Sequence, residues 1–514
     1  SPYIANTDSA STEKFNMSYI YFGDSSSYVY HIDNTKNSLN EISPSYFDLN
    51  EDGSLLLTQA IDTDFVEEMH NRGIKVVPFL SNHWDRNKGA AALDRRAKLA
   101  EEIADAVKKY NLDGVNVDIE NMTKEHKDEY SDFVRLLRKE LPSDKTIAVS
   151  VAPNPYWADS GWQGSYDYSK LAKYSDYLMI MCYDESYESG PAGPVASASF
   201  VEKSIIYALE HVPKEKIVLG LPFYGRFWKN GEQYGGYGIS NRTVEKLVQK
   251  YNGKVTFDEK TKSAKAVIQI RSYDEKPVVL GRRLEAGTYT IWFENEQSLK
   301  YKLTLVNKYD LKGTGSWSLG QEALSTWNYY SMWLNGYYLE DVPGHWAQQY
   351  IISMVDKGWM KGISASMFAP NNPLTRAEAA TILVRALGLE EKKGVKFEFT
   401  DTHGHWAEDE IKIAAQNGVV LGTGDGSFSP DRPVSRQELA VMLDRVLNLD
   451  AKQKTVNPYK DLNASKYSWS YDSIIKLTGY GVFTGNSDGA FYPLSTATRA
   501  EMAAIMDRAS RFIK

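Results

Sequence analysis

The chain of 514 residues has a single cysteine, Cys182, so no intramolecular disulfide framework can form. It contains no apolar run of the roughly 18 residues that a membrane-spanning helix requires. It also lacks an excess of positive charge: the formal net charge is -8, and nothing in it points to a nucleic-acid partner. What remains is an ordinary globular balance, with 42% hydrophobic and 25% charged residues.

The chain also lacks an initiator methionine, since it begins at Ser1 and continues with mostly small or polar residues. Such a start fits a secreted protein after removal of its signal peptide, and a trimmed chain would look the same. Tyrosine (34) and tryptophan (12) are plentiful. Sugar rings stack on aromatic side chains, so this composition fits a carbohydrate-binding protein, although an aromatic core explains it equally well.

The last third of the chain repeats itself. The segment Asp341–Trp346 returns as Asp401–Trp406, and more loosely as Asp461 with Trp469. A second segment, Leu-Thr-Arg-Ala-Glu, returns as Val-Ser-Arg-Gln-Glu and Ala-Thr-Arg-Ala-Glu. Each unit reads as two helices around a glycine-rich loop, and one unit is too small to bury a core alone. The sequence therefore predicts an α-helix-rich module of three repeats, at residues 339–395, 396–456 and 457–514.

Eight short apolar runs precede these repeats, and amphipathic segments lie between most of them. In the clearest amphipathic segment, Leu99, Ile103 and Val107 recur at helical spacing. Eight strands with helical crossovers predict an α/β protein, a (β/α)8 barrel, over residues 1–338. The connection before the last run is too long for one helix, and it predicts a small α+β insertion at about 228–290. The runs are Met17–Phe22, Ile42–Phe47, Lys75–Leu80, Gly114–Glu120, Ile147–Ala152, Tyr177–Tyr183, Ile217–Pro222 and Gly313–Leu319.

The fourth run carries acidic residues on one face. Side chains alternate along a strand, so the run presents one apolar and one polar set. The apolar set is Val115, Val117 and Ile119, and the polar set is Asn116, Asp118 and Glu120. Barrel enzymes place their chemistry at the C-terminal ends of the strands, where Asp118 and Glu120 lie. The alternative, a surface strand with incidental acids, is disfavoured because both faces of a parallel sheet are covered.

This run resembles the signature of glycoside hydrolase family 18, Asp-x-x-Asp-x-Asp-x-Glu, in residue type and spacing. Further segments resemble the family in the same order along the chain, over roughly residues 15–333. They are Met181–Asp184 (the family's Met-x-Tyr-Asp), Gly220–Gly225 (its seventh strand), Trp292–Glu294 (before its last barrel helix) and Trp317 (the floor of its sugar site).

The resemblance implies substrate-assisted, retaining hydrolysis of β-1,4-linked N-acetylglucosamine glycans. Glu120 would be the acid and then the base, Asp118 would hold the acetamido N–H, Tyr183 would orient the acetamido oxygen, and Trp317 would stack under the reacting ring. The motifs also put Asn116 and Asp113 with the catalytic residues, and Asp184, Met181, Tyr224, Trp292 and Glu294 with the substrate-binding residues. No cluster of residues has metal-ligand spacing, so neither a metal nor another cofactor is expected.

The chain departs from the family in ways that bear on the substrate. Asn116 stands where the family has a second acid, and it could still hydrogen-bond Asp118. Residues 119–122 read Ile-Glu-Asn-Met rather than the Trp-Glu-Tyr-Pro of chitinases, and the third run ends in Ser-Asn-His-Trp. These features look more like the branch associated with spore and wall peptidoglycan. They favour a peptidoglycan N-acetylglucosaminidase, with a chitinase, an N-glycan endo-β-N-acetylglucosaminidase or a non-catalytic glycan-binding S-layer protein as alternatives. His83 and Trp84 are expected to line a sugar subsite or to pack a loop.

The three repeats resemble S-layer homology (SLH) domains. That resemblance implies binding to a pyruvylated secondary polymer of a Gram-positive-type wall, and therefore a secreted protein of the wall or S-layer. Guanidinium groups fit carboxylates, so the arginines are expected anchors unless each pairs with an acid of its own unit. The expected polymer-binding residues are Arg376, Arg436, Arg499, Gly424, Trp346 and Trp406.

Overall fold

The structure, a computed structural model, describes residues 13–451 and 455–514. The chain separates after Gly336 into two compact units. The polar start of the chain, on which the expectation of a removed signal peptide rests, lies outside the described residues. No helix among the described residues is long and apolar enough to cross a membrane.

The first unit is built on parallel strands that match the eight predicted runs. Each strand pairs with its neighbours in chain order, and β8 pairs with both β7 and β1. The strands are β1 (Phe15–Ile20), β2 (Glu41–Pro44), β3 (Lys75–Val76 and Phe79–Ser81), β4 (Gly114–Asp118), β5 (Thr146–Val151), β6 (Tyr177–Ile180), β7 (Ile217–Pro222) and β8 (Gly313–Trp317).

The barrel closes through β3, which Pro78 divides into two pieces because proline has no N–H to give to the ladder. The first piece pairs with β2, Lys75 lying opposite Glu41. The second piece pairs with β4, Phe79 lying opposite Asn116. The chain from Lys75 to Ser81 therefore joins the two edges of the sheet, and the predicted (β/α)8 barrel is confirmed.

Helices cover the outside of this barrel, and most begin at a side chain that satisfies a free N–H group of the first turn. Asp24, Asp85 and Asp167 each accept a hydrogen bond from the backbone N–H three residues later. The helices are Ser25–Asn34, Thr63–Asn71, Arg86–Asp94, Arg96–Lys109, Lys127–Glu140, Tyr168–Tyr174, Ala198–His211, Glu296–Lys308 and Thr326–Leu334, with 3-10 turns at Lys124–His126, Trp162–Ser165 and Lys214–Lys216. A hairpin, Phe47–Leu49 with Leu55–Leu57, follows β2.

The predicted α+β insertion lies between β7 and β8. Its first strand begins at Tyr224, separated from β7 by a single residue, and the insertion encloses its own apolar core around Phe227 and Ile291. The antiparallel sheet has the order Tyr237–Ser240, Tyr224–Lys229, Gly287–Phe293, Ser263–Ile270 and Lys254–Asp258; helix Asn241–Lys250 packs on it, and a short ribbon joins Val278–Val279 to Arg282–Arg283.

The second unit contains two helices from each of the three repeats. They are Gln348–Asp356 and Arg376–Leu387, Glu408–Gln416 and Arg436–Leu447, and Tyr471–Gly479 and Arg499–Ala509, with a final 3-10 turn at Ser510–Phe512. Three equivalent residues join the repeats in a ring of backbone hydrogen bonds. Leu374 N–H donates to Ala497, Ala497 to Val434, and Val434 back to Leu374. The repeats therefore form one module with approximate threefold symmetry.

Candidate active site

The end of β3 holds the predicted acid, Glu120, in place just beyond β4. Its backbone N–H donates to Asn82 Oδ1 (2.9 Å), and Asn82 Nδ2 donates to the carbonyl of Glu120 (2.8 Å). Val115 and Val117 are buried on the outer face of the barrel, as expected from the alternation, while Asn116 and Asp118 lie inside the barrel. The last polar side chain of the strand therefore meets Glu120 at the mouth of the barrel.

Asp118 and Glu120 form a hydrogen-bonded carboxyl pair. Burial raises the pKa of both groups, and the charge of Asp118, with a smaller contribution from Asp184, raises the pKa of Glu120 further. The pair therefore favours the protonated form of Glu120, as a general acid requires. Asp118 Oδ1 is buried and forms no hydrogen bond with any residue that the structure describes, and the Asp118 residue lines the cavity.

An aromatic floor lies beside this pair. Trp317, at the end of β8, contacts Tyr19, Tyr21 and Phe79, with ring centroids 5.4, 5.7 and 5.7 Å away. Trp317 lines the same cavity as Asp118 and Glu120. An apolar ring face next to a buried acid suits a sugar ring, which has apolar faces and polar edges.

The opposite wall comes from the residues after β6 and from the first insertion strand. Tyr183 and Tyr224 lie edge to face, 6.0 Å between centroids. Tyr224 Oη donates to Asp184 Oδ1 (2.5 Å), and Arg226 Nη2 lies 2.9 Å from the same oxygen. Together with Met181, these residues line the cavity, so the structure brings the predicted Tyr183, Asp184, Met181 and Tyr224 to one site.

Comparison with known proteins decides the family. The model of glycosyl hydrolases family 18 matches residues 17–322. The chain belongs to glycosyl hydrolase family 18. The S-layer homology domain model matches residues 339–380, 398–440 and 458–503, so three SLH domains follow the family 18 domain.

Relatives of the family 18 domain occur in spore-forming bacteria. The chain is 26% identical to an uncharacterized glycosylase, YvbX, of Bacillus subtilis over 45% of this chain and 64% of that protein. It is 24% identical to the cortical fragment-lytic enzyme of Bacillus anthracis, over 45% of this chain and 51% of that enzyme. The matched region thus spans between half and two thirds of these relatives. A chitinase from Chromobacterium violaceum shares the fold, with a TM-score of 0.54 and 24% identity over 63% of this chain and 98% of that one.

Two residues of the family 18 signature make contacts that differ from those expected. Asp113 lies before β4, at the opposite end of the barrel, roughly 16 Å along the strand from Asp118. It binds His70 Nε2 and the backbone N–H of Val76, both at 2.7 Å, and it does not line the cavity. Asn116 donates to Tyr19 Oη (2.8 Å) and accepts from Ser150 Oγ (2.9 Å), so its amide supports these side chains instead of binding Asp118.

Two predicted sugar contacts also lie elsewhere. Glu294 is buried in an ion pair with Lys302 (2.7 Å), below the surface of the unit. Trp292 is on the insertion sheet, under the Lys265 ammonium. Its neighbours in the strand, Ile291 and Phe293, enter the insertion core, so alternation turns Trp292 to the other face of that sheet. Neither residue lines the cavity.

The cavity, of about 940 Å3, has further aromatic residues that the sequence patterns did not identify. Those just after β1 and in the loops are Tyr21, Phe22, Tyr156, Trp162 and Tyr187. Tyr21 continues the inward face of β1 and could have been found by alternation. The others come from loops after β1, β5 and β6, which carry no periodic signal. His83 and Trp84 also line the cavity, and Trp84 contacts Trp162 edge to face.

The three SLH arginines are engaged inside the module. Arg376 pairs with Glu438 (3.2 Å), Arg436 with Glu501 (2.9 Å) and Arg499 with Glu378. Each arginine thus pairs with the glutamate of the next repeat. It neither pairs with an acid of its own unit nor extends into solvent. Each is 6–7% exposed and also donates through Nε to a phenylalanine carbonyl. These contacts bury the three arginines at the junctions between repeats.

Other SLH residues do face outward. Trp346, Trp406 and Trp469 occupy corresponding positions in the three repeats and are 61%, 62% and 58% exposed. Gly424 lies in an exposed loop with φ +98°. Asp341 accepts hydrogen bonds from the backbone of Phe368 and Ala369, and its equivalents in the other repeats do the same, so these aspartates shape the loops.

Proposed function

We propose that this chain is a cell-wall β-N-acetylglucosaminidase that cleaves β-1,4-linked N-acetylglucosamine glycans with retention of configuration. One observation carries the proposal. Glu120 is paired with Asp118 at the barrel mouth, and burial and the charge of Asp118 raise the pKa of the Glu120 carboxyl. Asp118, Glu120 and the Trp317 floor line the same cavity.

Each group has a part in the proposed reaction. Glu120 donates its proton to the glycosidic oxygen as the bond to the anomeric carbon breaks. The acetamido oxygen of the substrate attacks that carbon and forms an oxazolinium ion, so no protein nucleophile is needed. Asp118 accepts the acetamido N–H, and its negative charge stabilises the cation. Glu120 then takes a proton from water, which opens the oxazolinium ring and restores the acetamido group.

Tyr183 and Trp317 position the reacting sugar. In the proposed reaction the Tyr183 hydroxyl donates to the acetamido oxygen, and burial keeps its pKa well above the usual range, so it stays a donor. Trp317 supports the apolar face of the ring. Tyr224 and Arg226 fix Asp184 beside Tyr183, where its charge contributes to the raised pKa of Glu120.

Peptidoglycan is the proposed substrate because two observations agree. The chain is similar to an enzyme named for lysis of cortical fragments, which agrees with its resemblance to the family branch associated with spore and wall peptidoglycan. The chain also lacks the Trp-Glu-Tyr-Pro continuation of chitinases at residues 119–122. Chitin and N-glycan cores are the alternative N-acetylated substrates.

The SLH module would hold the enzyme on the wall. Three linked repeats give avidity for a polymer, since the first contact raises the local concentration for the others. The exposed tryptophans Trp346, Trp406 and Trp469 and the loop around Gly424 are the proposed contacts with a pyruvylated wall polymer of a Gram-positive-type bacterium. The proposed location is therefore the cell surface.

Mass spectrometry of digests tests the substrate. Purified peptidoglycan and N-acetylglucosamine oligomers are incubated with the chain and with Glu120→Gln. New N-acetylglucosamine reducing ends from peptidoglycan, absent with the variant, are expected. Cleavage of the oligomers alone would replace the proposal with an anchored chitinase. If neither glycan were cleaved, both the proposed peptidoglycan activity and the chitinase alternative would be contradicted.

A further inference from the structure

The loop after β3 places two side chains in the cleft in an unusual backbone conformation. His83 and Trp84 are consecutive non-glycine residues in the left-handed region, with φ +48° and +64°. Contacts hold both residues there: His83 N–H donates to Ser81 Oγ (2.9 Å), and Asn121 Nδ2 donates to the Trp84 carbonyl (3.0 Å). Because unfavourable conformations persist only where the surroundings impose them, the direction of the His83 side chain is set by the fold.

The imidazole of His83 is tied to a carboxylate behind it. His83 Nε2 lies 2.6 Å from Asp48 Oδ1, on the strand Phe47–Leu49. This contact raises the pKa of His83, and the charge of Asp118 adds to the effect, whereas partial burial and Lys88 oppose it. With Nε2 engaged, Nδ1 forms no hydrogen bond with any residue in the described part of the chain. The arrangement favours an imidazolium at the cleft wall.

His83 directly follows the two residues of the chain that contact the carboxyl pair and its strand. Ser81 lies opposite Asp118 in the sheet, and Asn82 binds both backbone groups of Glu120, so His83 begins one residue beyond that contact. The charge of His83 lowers the pKa of Asp118, against the effect of burial. The other basic side chain in the cavity lining, Arg226, is paired with Asp184.

The groups below the pair are neutral or remote. Tyr19 and Ser150 bond to Asn116, and burial keeps the pKa of Tyr19 well above its usual range. The charged or titratable groups that face the pair are His83, Asp184 and the buried tyrosines Tyr19, Tyr130, Tyr166, Tyr183 and Tyr224, and those that face His83 are Asp48, Lys88 and Asp118.

We propose that His83, held as a cation by Asp48, is a positioning residue that keeps Asp118 as the anion and Glu120 as the acid of the catalytic pair. In this chain Asn116 leaves no second carboxyl inside the strand to share charge with Asp118. The charges of Asp118 and Glu120 are then set from the cleft side, by the His83–Asp48 pair at the ends of neighbouring strands. The kinetic test of this inference rests on the proposed function. The ionisation of His83 can be measured without it.

Two substitutions act in different pH ranges. His83→Asn removes the cation in a residue type that tolerates the left-handed conformation, so the pKa of the Asp118–Glu120 pair rises. The acidic limb of kcat/KM should move upward by about half a pH unit or more. Asp48→Asn leaves His83 charged at acidic pH, so the acidic limb stays in place and a new ionisation appears at higher pH, where His83 without its carboxylate partner loses its proton. His83→Arg should restore the acidic limb.

The control is His211→Asn, a histidine on the helix Ala198–His211 outside the cavity lining, which should leave the profile unchanged. NMR titration of the histidine rings in the full chain needs no turnover: the pKa of His83 should be above that of a free histidine and should fall in Asp48→Asn. An unshifted His83 pKa, or an equal loss of kcat/KM at every pH in His83→Asn, would overturn the inference. A shifted His83 pKa in a chain that cleaves no glycan would instead refute the proposed function alone.

Discussion

Arg499 of the last repeat forms an ion pair with Glu378 of the first repeat, which closes a ring that runs through all three SLH domains. The other members of the ring, Arg376 with Glu438 and Arg436 with Glu501, make the same contact one repeat further along. Each repeat thus supplies the arginine for one junction and the glutamate for another. The three domains are expected to unfold together rather than one by one.

Substitution within this ring should destabilise the whole SLH module. Arg436→Met keeps the side-chain volume but leaves Glu501 and the Phe491 carbonyl without their partner, which costs about 3 kcal/mol of unfolding free energy. Scanning calorimetry of the full chain measures the loss. Arg432→Gln is the matched control, since Arg432 is half exposed and its pairing is worth less than about 1 kcal/mol. Equal, small effects of the two variants would show that the ring does not hold the module.

Asp118→Asn should slow turnover and change its pH dependence. The amide no longer stabilises the oxazolinium cation, so kcat falls by about 10²–10³-fold. The charge of Asp118 raises the pKa of Glu120, so its removal lowers that pKa and moves the alkaline limb of kcat/KM to lower pH. A pH–rate profile measures both effects. A variant that loses rate with its alkaline limb unmoved would speak against Asp118 as the group that keeps Glu120 protonated.

A buried glutamate at the base of the barrel should make stability depend on pH. Glu41, 1% exposed, binds the Tyr177 hydroxyl, and burial raises the pKa of Glu41 from 4.5 to about 7. Because the folded pKa is above the unfolded one, the stability that this group contributes is complete below pH 4.5 and is lost as pH rises to 7. The loss amounts to about 3 kcal/mol.

Glu41→Gln removes this ionisation and keeps an oxygen for Tyr177. The Tm of the variant relative to the unchanged chain should therefore be higher at pH 8 than at pH 5, while Glu125→Gln, an exposed site, should show no such difference. The same Tm difference for Glu41→Gln at both pH values would mean that Glu41 does not titrate with a raised pKa.

The two compact units predict separable activities. A chain that ends at Gly336 should cleave soluble N-acetylglucosamine oligomers at a rate within about twofold of the full chain, because every residue of the cavity lies before that point. It should no longer sediment with purified walls. Wall binding that survives the truncation would place the anchor in the barrel unit.

The strands of the barrel could be predicted because each is a short apolar run between amphipathic segments. Alternation along β4 also placed Asp118 and Glu120 correctly at the barrel mouth. The same signature grouped Asp113 with the residues at the barrel mouth, although membership of a motif does not say at which end of the strand a residue lies. Asp113 precedes β4 and therefore binds His70 at the far end of the barrel.

Contacts between distant segments left no signal in the sequence. The repeated Arg-x-Glu pattern indicated three arginines and three glutamates, but only the threefold packing decides that Arg376 reaches Glu438 rather than Glu378. Likewise, Glu294 pairs with Lys302 because both side chains enter the same buried space. The aromatic cleft wall comes from loops, whose sequences have no periodicity to read.

The central claim is that Glu120 is the acid that cleaves wall glycan. The most direct test is the release of N-acetylglucosamine reducing ends from purified peptidoglycan by the full chain and by Glu120→Gln, with glycan binding measured in parallel. The account predicts release by the unchanged chain, loss of release by at least about 10²-fold in the variant, and retained binding, because only the proton donor is removed. Near-normal release by Glu120→Gln would contradict it.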